Sequence, residues 1–482
     1  MIKIDAAHNQ IISDALLEKD IIMELVSGFG SPLNLIFPQS IVENKDKFLS
    51  VFEELGISGK VYYAHKANRS LSLVRSLALQ NNSFIDVASI NELISAFSAG
   101  FTTSRIEATG PKNYEFIHLG VQHGIVFNVD NFQELETLCQ VHGELSKSDP
   151  IKILIRLTGF SSNHTKIVEQ DNRFGTNIND AQDVFDFIKS NQDVFELKGF
   201  SFHFGSADIK DKVVALENVL QIIDLARSCG FEPSVINIGG GYMINHAASA
   251  DQWENFVSQL KKSQTGSADS ITWKNYGYGY SVDPSGLKGG LEVGAHYSAT
   301  TGSGFLKQLL SAPLPEYGNI PFYKIALEQM LEIWIEPGRA MLDNCGVTAF
   351  SVAAIKKSAL NEYLVILNGK RSDLVFLNQE LLTDPVLICQ DKEKDETKNG
   401  AVGVFFTGSL CWKSDFISQR KVWLTQLPQE GDLVIYLNTA DYHMDFSSTY
   451  SLMRPPAKKV ALYKNTSSFT WALDDKPYFP KK

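Results

Sequence analysis

Residues 61–68 read Val61-Tyr62-Tyr63-Ala64-His65-Lys66-Ala67-Asn68. The first four make a short β-rich run, and a lysine follows almost at once. A lysine just past a buried strand is costly unless it has a partner or a task. The run is also the first of a series. Similar ones fall at Phe84–Ala88, Ile106–Ala108, Ile125–Val129, Ile151–Leu157, Leu197–Phe202, Val235–Ile238 and Glu332–Ile335. Amphipathic stretches lie between most of them, such as Asn91–Phe97 and Asn218–Ile223. Strand and helix in alternation mark a parallel sheet, and eight strands are the number that closes a (β/α)8 barrel. The expected fold class is therefore α/β, with a TIM-type barrel over residues 41–342.

In such barrels the chemistry sits at the C-terminal ends of the strands. Here those ends carry His65-Lys66-Ala67-Asn68, His203-Phe204-Gly205-Ser206, Gly239-Gly240-Gly241 and Glu336-Pro337-Gly338-Arg339. Three glycines let backbone N–H groups come close to a phosphate. Ser206 and Arg339 add a hydroxyl and a charge-assisted bond. Each piece has a plainer reading, Gly239–Gly241 as a turn and His203 as a core histidine. Their joint occurrence at four strand ends favours a binding site.

Beyond the barrel the period changes. Thr348–Ile355, Tyr363–Leu367, Val402–Phe406 and Leu433–Leu437 alternate or are β-branched, which predicts a β domain over 343–482. Residues 1–40 are expected to contribute to it. Residues 245–325 are too long for one crossover helix and read as an insertion over the barrel mouth. Its Trp253, Trp273 and Tyr276-Gly277-Tyr278-Gly279-Tyr280 argue against disorder. Glu393–Lys398 reads as a solvated charged loop.

The chain has 482 residues and a formal net charge of −11, which disfavours nucleic acid as a partner. No apolar run is long enough for a membrane span, and the N-terminus lacks the pattern of a signal peptide. Five scattered cysteines form no Cys-x-x-Cys pair. Neither a disulfide framework nor a metal site is expected, and the usage fits the cytoplasm.

The block Tyr63–Asn68 resembles the lysine motif of the alanine-racemase-fold (fold type III) pyridoxal-phosphate enzymes. Taken with Asp86-Val87-Ala88-Ser89, the three later strand ends, Cys411 with Asp415, and Ala440-Asp441-Tyr442, the chain resembles their diaminopimelate, ornithine and arginine decarboxylase branch. The resemblance implies pyridoxal 5'-phosphate as cofactor, held by Lys66 as a Schiff base. It implies that His203 stacks on the ring and that Glu336 bonds its nitrogen. Ser206, Gly241, Arg339 and Tyr442 would hold the phosphate, with Asp86, Gly240 and Gly338 in the same cofactor set. Cys411 and Asp415 would reach into the partner subunit's site, so a homodimer is implied. A carboxylate at the ring nitrogen keeps it protonated and makes the ring a strong electron sink, which suits decarboxylation. The catalytic residues would then be Lys66, His203 and Cys411, although an inert buried thiol is the plainer reading of Cys411.

The specificity elements depart from the pattern. Well-known decarboxylases carry an acid after the cysteine, where this chain has Trp412. Diaminopimelate enzymes carry Arg-Pro where it has Leu377-Asn378-Gln379. Trp412 and Asp415 are the expected substrate contacts. The chain is most similar to a little-characterised branch with the same lysine block and a long loop before Glu-Pro-Gly-Arg. Decarboxylation of an amino acid or a derivative is expected. Racemisation or epimerisation at Cα, and a non-catalytic regulator on the same fold, stay open.

Overall fold

The computed structural model describes residues 1–161, 173–205, 208–390, 401–466 and 468–474. Ser206 and the charged loop Glu393–Lys398 fall outside the described residues. The chain divides into two compact units, Val42–Met243 with Thr300–Met341, and Met1–Ile41 with Ile244–Ala299 and Leu342–Lys482.

The first unit is a closed parallel barrel. Its strands are β1 (Gly59–Ala64), β2 (Phe84–Val87), β3 (Ile106–Ala108), β4 (Val126–Val129), β5 (Ile151–Thr158), β6 (Phe195–Ser201), β7 (Val235–Asn237) and β8 (Glu332–Ile335). Each pairs in parallel with the next, and β8 returns to β1 with Ile333 opposite Gly59 and Ile335 opposite Val61. All eight expected strands are present, and the TIM-type barrel is the observed fold.

The sequence builds the helices by one repeated device. A small polar residue just past the strand accepts from the amide three residues on: Ser89 from Glu92, Asn113 from Phe116, Asn131 from Glu134. Such caps are worth about 1 kcal/mol each. In two of them the acid reaches back, Glu92 to the Ala88 amide at 2.7 Å and Glu134 to the Asp130 amide at 3.0 Å. Gly100 and Gly124 end their helices in the left-handed conformation, at φ 104° and 69°.

Alternate residues of each strand point into the barrel, and they form layers. At the bottom Lys60 meets Glu332 at 2.8 Å. Two residues up, Tyr62, Val126, Leu154, Val235 and Trp334 make an apolar cluster, with Tyr62 and Trp334 ring centroids 4.8 Å apart. Further toward the C-terminal ends, β2, β3, β4 and β7 present Asp86, Glu107, Asn128 and Asn237, and Glu336 follows directly after β8. All five are buried. The barrel is thus packed with apolar side chains in the middle and acidic at its C-terminal end.

The second unit is built on a nine-stranded, mostly antiparallel sheet. Its long strand Gly346–Lys357 lies beside Leu33–Ile36, Tyr363–Leu367 and Leu433–Tyr436. Leu33–Ile36 also pairs with Lys458–Lys464, so the N-terminal segment is an internal strand of this sheet. The stretch 245–325 is not of one kind. Residues 244–299 belong to this second unit, where helix Ala250–Gln264 buries Trp253, Phe256 and Leu260 against Ile4, Tyr278 and Leu382. Residues 300–341 belong to the barrel unit.

Candidate active site

Lys66 lies in a single turn, His65–Ala67, directly after β1. From Val61 to Asn68 every residue is buried except Lys66, which is exposed. Its charge acts on Asp86, Glu92 and His203, favouring the ionised acids and disfavouring a protonated imidazole.

The acidic layer is tightly wired. Asn237 Nδ2 donates to Glu336 Oε1 at 2.7 Å and to both oxygens of Glu107 at 3.0 and 3.1 Å. Asn128 Nδ2 donates to Glu107 Oε1 at 3.0 Å, and Ser201 donates to Asn128 Oδ1 at 2.6 Å. Thr109 donates to Asp86 at 2.6 Å. Burial pushes the carboxyls of Asp86 and Glu107 well above the usual carboxylate range, and the negative charge of Glu336 adds to it. An acid layer of this kind favours a cation bound beside it.

The loop after β7 is shaped by glycine. Gly239 and Gly241 have φ of 65° and 91°. A Cβ on Gly240 would come within 2.7 Å of the Glu336 carbonyl and 3.1 Å of the His203 ring. The Gly239 amide donates to Asn237 Oδ1 at 2.9 Å, and the Gly240 amide to His203 Nδ1 at 3.1 Å. Gly241 holds the one amide of the three with no acceptor among the described residues. Lys212 is buried beneath the loop and donates to the carbonyls of Ile238 and Gly240 at 3.3 and 2.8 Å. With Nδ1 accepting from Gly240, His203 is neutral and carries its proton on Nε2. Burial, first, and then the charges of Lys66, Lys212 and Arg156 hold it well below the ordinary histidine range. Glu336 and Gly338 are buried, and Arg339 opens the turn Arg339–Leu342 after β8.

Of the residues expected from the sequence, Lys66, Asp86, His203, Gly240, Gly241, Glu336, Gly338 and Arg339 lie at the ends of five strands of one barrel. Sequence reading missed Glu107, Asn237 and Lys212. The first two were legible as polar residues inside apolar strands. Lys212 is one cation in a long helix, and nothing in its local sequence marks it.

The residues expected from the second unit sit on loops. Cys411 and Trp412 are exposed, Trp412 by 72%, so Cys411 is not a buried thiol within its own chain. Asp415 is buried, and its two oxygens accept from the Arg371 and Leu410 amides at 2.7 and 2.8 Å. Tyr442 opens helix Tyr442–Asp445, capped by Asp441, and its ring packs 5.1 Å from Phe376. Beside it, ligand-type atoms of His246, Asp441 and His443 lie within 4.8 Å of one another, all three residues buried. His443 donates through Nδ1 to the Leu374 carbonyl at 3.0 Å. No spacing in the sequence pointed to this group.

A barrel with an exposed lysine just past strand one, an acid layer at its mouth and a glycine loop after strand seven defines a class, the alanine-racemase-fold pyridoxal-phosphate proteins. The residues suit that cofactor. The glycine loop admits nothing bulkier at Gly240, the Gly241 amide is available to an anion, and the acid layer suits a pyridinium. Comparison agrees. Residues 39–272 match the family model described as pyridoxal-dependent decarboxylase, pyridoxal binding domain. The chain is 27% identical over 420 residues to the uncharacterized protein y4yA of Sinorhizobium fredii, covering 86% of this chain and 84% of that one. It is 23% identical over 442 residues to the diaminopimelate decarboxylase of Staphylococcus aureus, covering 90% and 89%. The crystal structure of diaminopimelate decarboxylase from M. jannaschii with L-lysine superposes with a TM-score of 0.67 at 20% identity, covering 92% and 89%. Residues 39–272 thus match the pyridoxal-binding domain of that family, and the chain is similar over 90% of its length to a diaminopimelate decarboxylase, in line with the diaminopimelate, ornithine and arginine decarboxylase branch. Its cofactor is pyridoxal 5'-phosphate.

Proposed function

We propose that this protein decarboxylates an amino acid or amino-acid derivative, with the cofactor attached at Lys66 and Cys411 supplied by the partner subunit of a homodimer. The observation that carries the reading is the exposure of Lys66 in a wall that is otherwise buried from Val61 to Asn68. Bound pyridoxal phosphate would supply an electron sink for the pair left at Cα when carbon dioxide departs. The protein's own residues do the rest. Glu336 is held at 2.7 Å by Asn237 and offers its carboxylate to the ring nitrogen. His203, neutral and fixed by Gly240, gives a flat uncharged face. The Gly241 amide and Arg339 suit the phosphate. Tyr442 and Ser206 remain assigned to it by resemblance.

Exposed apolar side chains in the second unit support self-association. Leu377, Trp412, Phe446, Tyr450, Leu452 and Met453 are each exposed by 52% or more. Large apolar groups left open in this number favour a protein partner. Among the described residues no helix is long and apolar enough to cross a membrane.

Borohydride reduction of the protein with pyridoxal phosphate, followed by peptide mass spectrometry, should place the label on Lys66. Label retained in Lys66→Ala would overturn the assignment. A panel of amino acids assayed for carbon dioxide release, and in parallel for loss of optical activity, separates decarboxylation from racemisation. Release of carbon dioxide is the expected result.

A further inference from the structure

The Glu107–Asn237–Glu336 chain crosses the barrel interior from β3 through β7 to β8. Asn237 is fixed at both ends of its amide. Its oxygen accepts from Gly239, so its NH2 group must face the two carboxylates. One N–H then serves Glu336 at 2.7 Å and the other serves Glu107 at 3.0 and 3.1 Å. Glu107 is held in turn by Asn128, and Asn128 by Ser201. Glu107, Asn237, Asn128 and Ser201 are 0%, 0%, 3% and 2% exposed. A buried acid on this scale is costly and is not needed to close a barrel, whose interior is ordinarily filled by branched apolar residues.

We propose that Asn237 and Glu107 are positioning residues for Glu336, fixing the orientation of its carboxylate toward the cofactor's ring nitrogen and the charge of the pocket behind it. This rests on the assignment of Glu336 to that nitrogen. Three acids, Asp86, Glu107 and Glu336, share the layer, and Tyr62 lies below it. They cannot all ionise cheaply in a buried site. Glu107 keeps its proton to higher pH than an ordinary glutamate, because of burial first and of Glu336 and Asp86 next. Glu107 then serves as a neutral brace behind Glu336, joined to it through Asn237.

The sign of the pH effect follows. The native state holds a proton on Glu107 that the unfolded chain releases near pH 4.3, the ordinary glutamate value of about that size. The stability from this group is complete below that pH and is lost as pH rises toward the folded value. Glu107→Gln removes that loss and keeps an acceptor for Asn128. Melting of the cofactor-free protein should therefore show Glu107→Gln gaining on the wild type as pH rises from about 4.

The test titrates pyridoxal phosphate into wild type, Asn237→Ser, Glu107→Gln and Ser201→Ala, reading the cofactor's visible band against pH and its dissociation constant. Asn237→Ser should weaken binding at least tenfold, while Glu107→Gln, neutral like the protonated acid it replaces, should keep the pH midpoint of the band near that of the wild type. Ser201→Ala, two hydrogen bonds behind Glu107, should weaken binding in the same direction as Asn237→Ser and less. It also serves if the nearer variants do not fold. Spectra and affinities that match wild type in every folded variant would overturn the proposal. A wild type that binds no pyridoxal phosphate would instead overturn the cofactor assignment, and the melting comparison would still test the acid chain.

Discussion

Two buried carboxylates, one in each unit, are held in different ways. Glu336, at the end of β8, is gripped by a side chain, Asn237, which belongs to another strand. Asp415 is gripped by two backbone amides, Leu410 of its own loop and Arg371 of the turn Arg371–Asp373 in the same unit. The first arrangement leaves a carboxylate oriented and partly uncommitted in an acidic pocket. The second commits both oxygens to building a loop. One acid is placed to meet a ligand, and the other is placed to present its exposed neighbours, Cys411 and Trp412.

If Cys411 works in the partner's site, the two regions should separate genetically. Lys66→Ala and Cys411→Ala are each expected to lack activity. Mixed and allowed to exchange, they should recover about a quarter of wild-type turnover, since half the dimers are mixed and one of their two sites is intact. This is the largest expected effect. No recovery after demonstrated exchange would place Cys411 in its own subunit's site.

A smaller effect should follow from Asp415. Asp415→Ala leaves two amides without their acceptor, at roughly 1–3 kcal/mol for each buried group. The melting temperature should fall, and activity should fall with it because Cys411 is no longer presented. Lys66 labelling should stay normal in this variant. A variant as stable as wild type but inactive would point to direct contact between Asp415 and a substrate.

The barrel was legible because its grammar is local. Each strand is a short apolar run, several helices start at a Ser or Asn cap such as Ser89 or Asn131, and the chemistry sits at fixed points in that repeat. Glu107 and Asn237 could be seen as polar residues within strands, but their pairing depends on barrel closure, which brings together residues 130 apart. Residues 244–299 were harder. They lie between β7 and β8 in sequence, yet their apolar side chains pack with Ile4 and Leu382. No periodicity within the segment says which core it joins. Asp415 was recognised by its place in a motif, and a motif does not tell whether its oxygens are already engaged.

The smallest effect concerns specificity, and it returns to Asp415. A substrate with a distal ammonium needs a carboxylate or several acceptors once it is buried. Asp415 has both oxygens on backbone amides. Trp412, exposed by 72%, offers only a ring face, worth roughly 0.5–2 kcal/mol to a cation, and Lys413 beside it adds a like charge. Lysine and ornithine should therefore be poor substrates, with kcat/KM below about 10⁴ M⁻¹s⁻¹. A larger or acidic side chain should do better. Steady-state kinetics on lysine, ornithine, arginine, meso-diaminopimelate and glutamate measure this directly. Trp412→Glu should then raise the ratio of ornithine to glutamate turnover by about tenfold, the equivalent of about 1.4 kcal/mol. Efficient use of ornithine by the wild type would show that the acid held inside the loop still reaches a substrate.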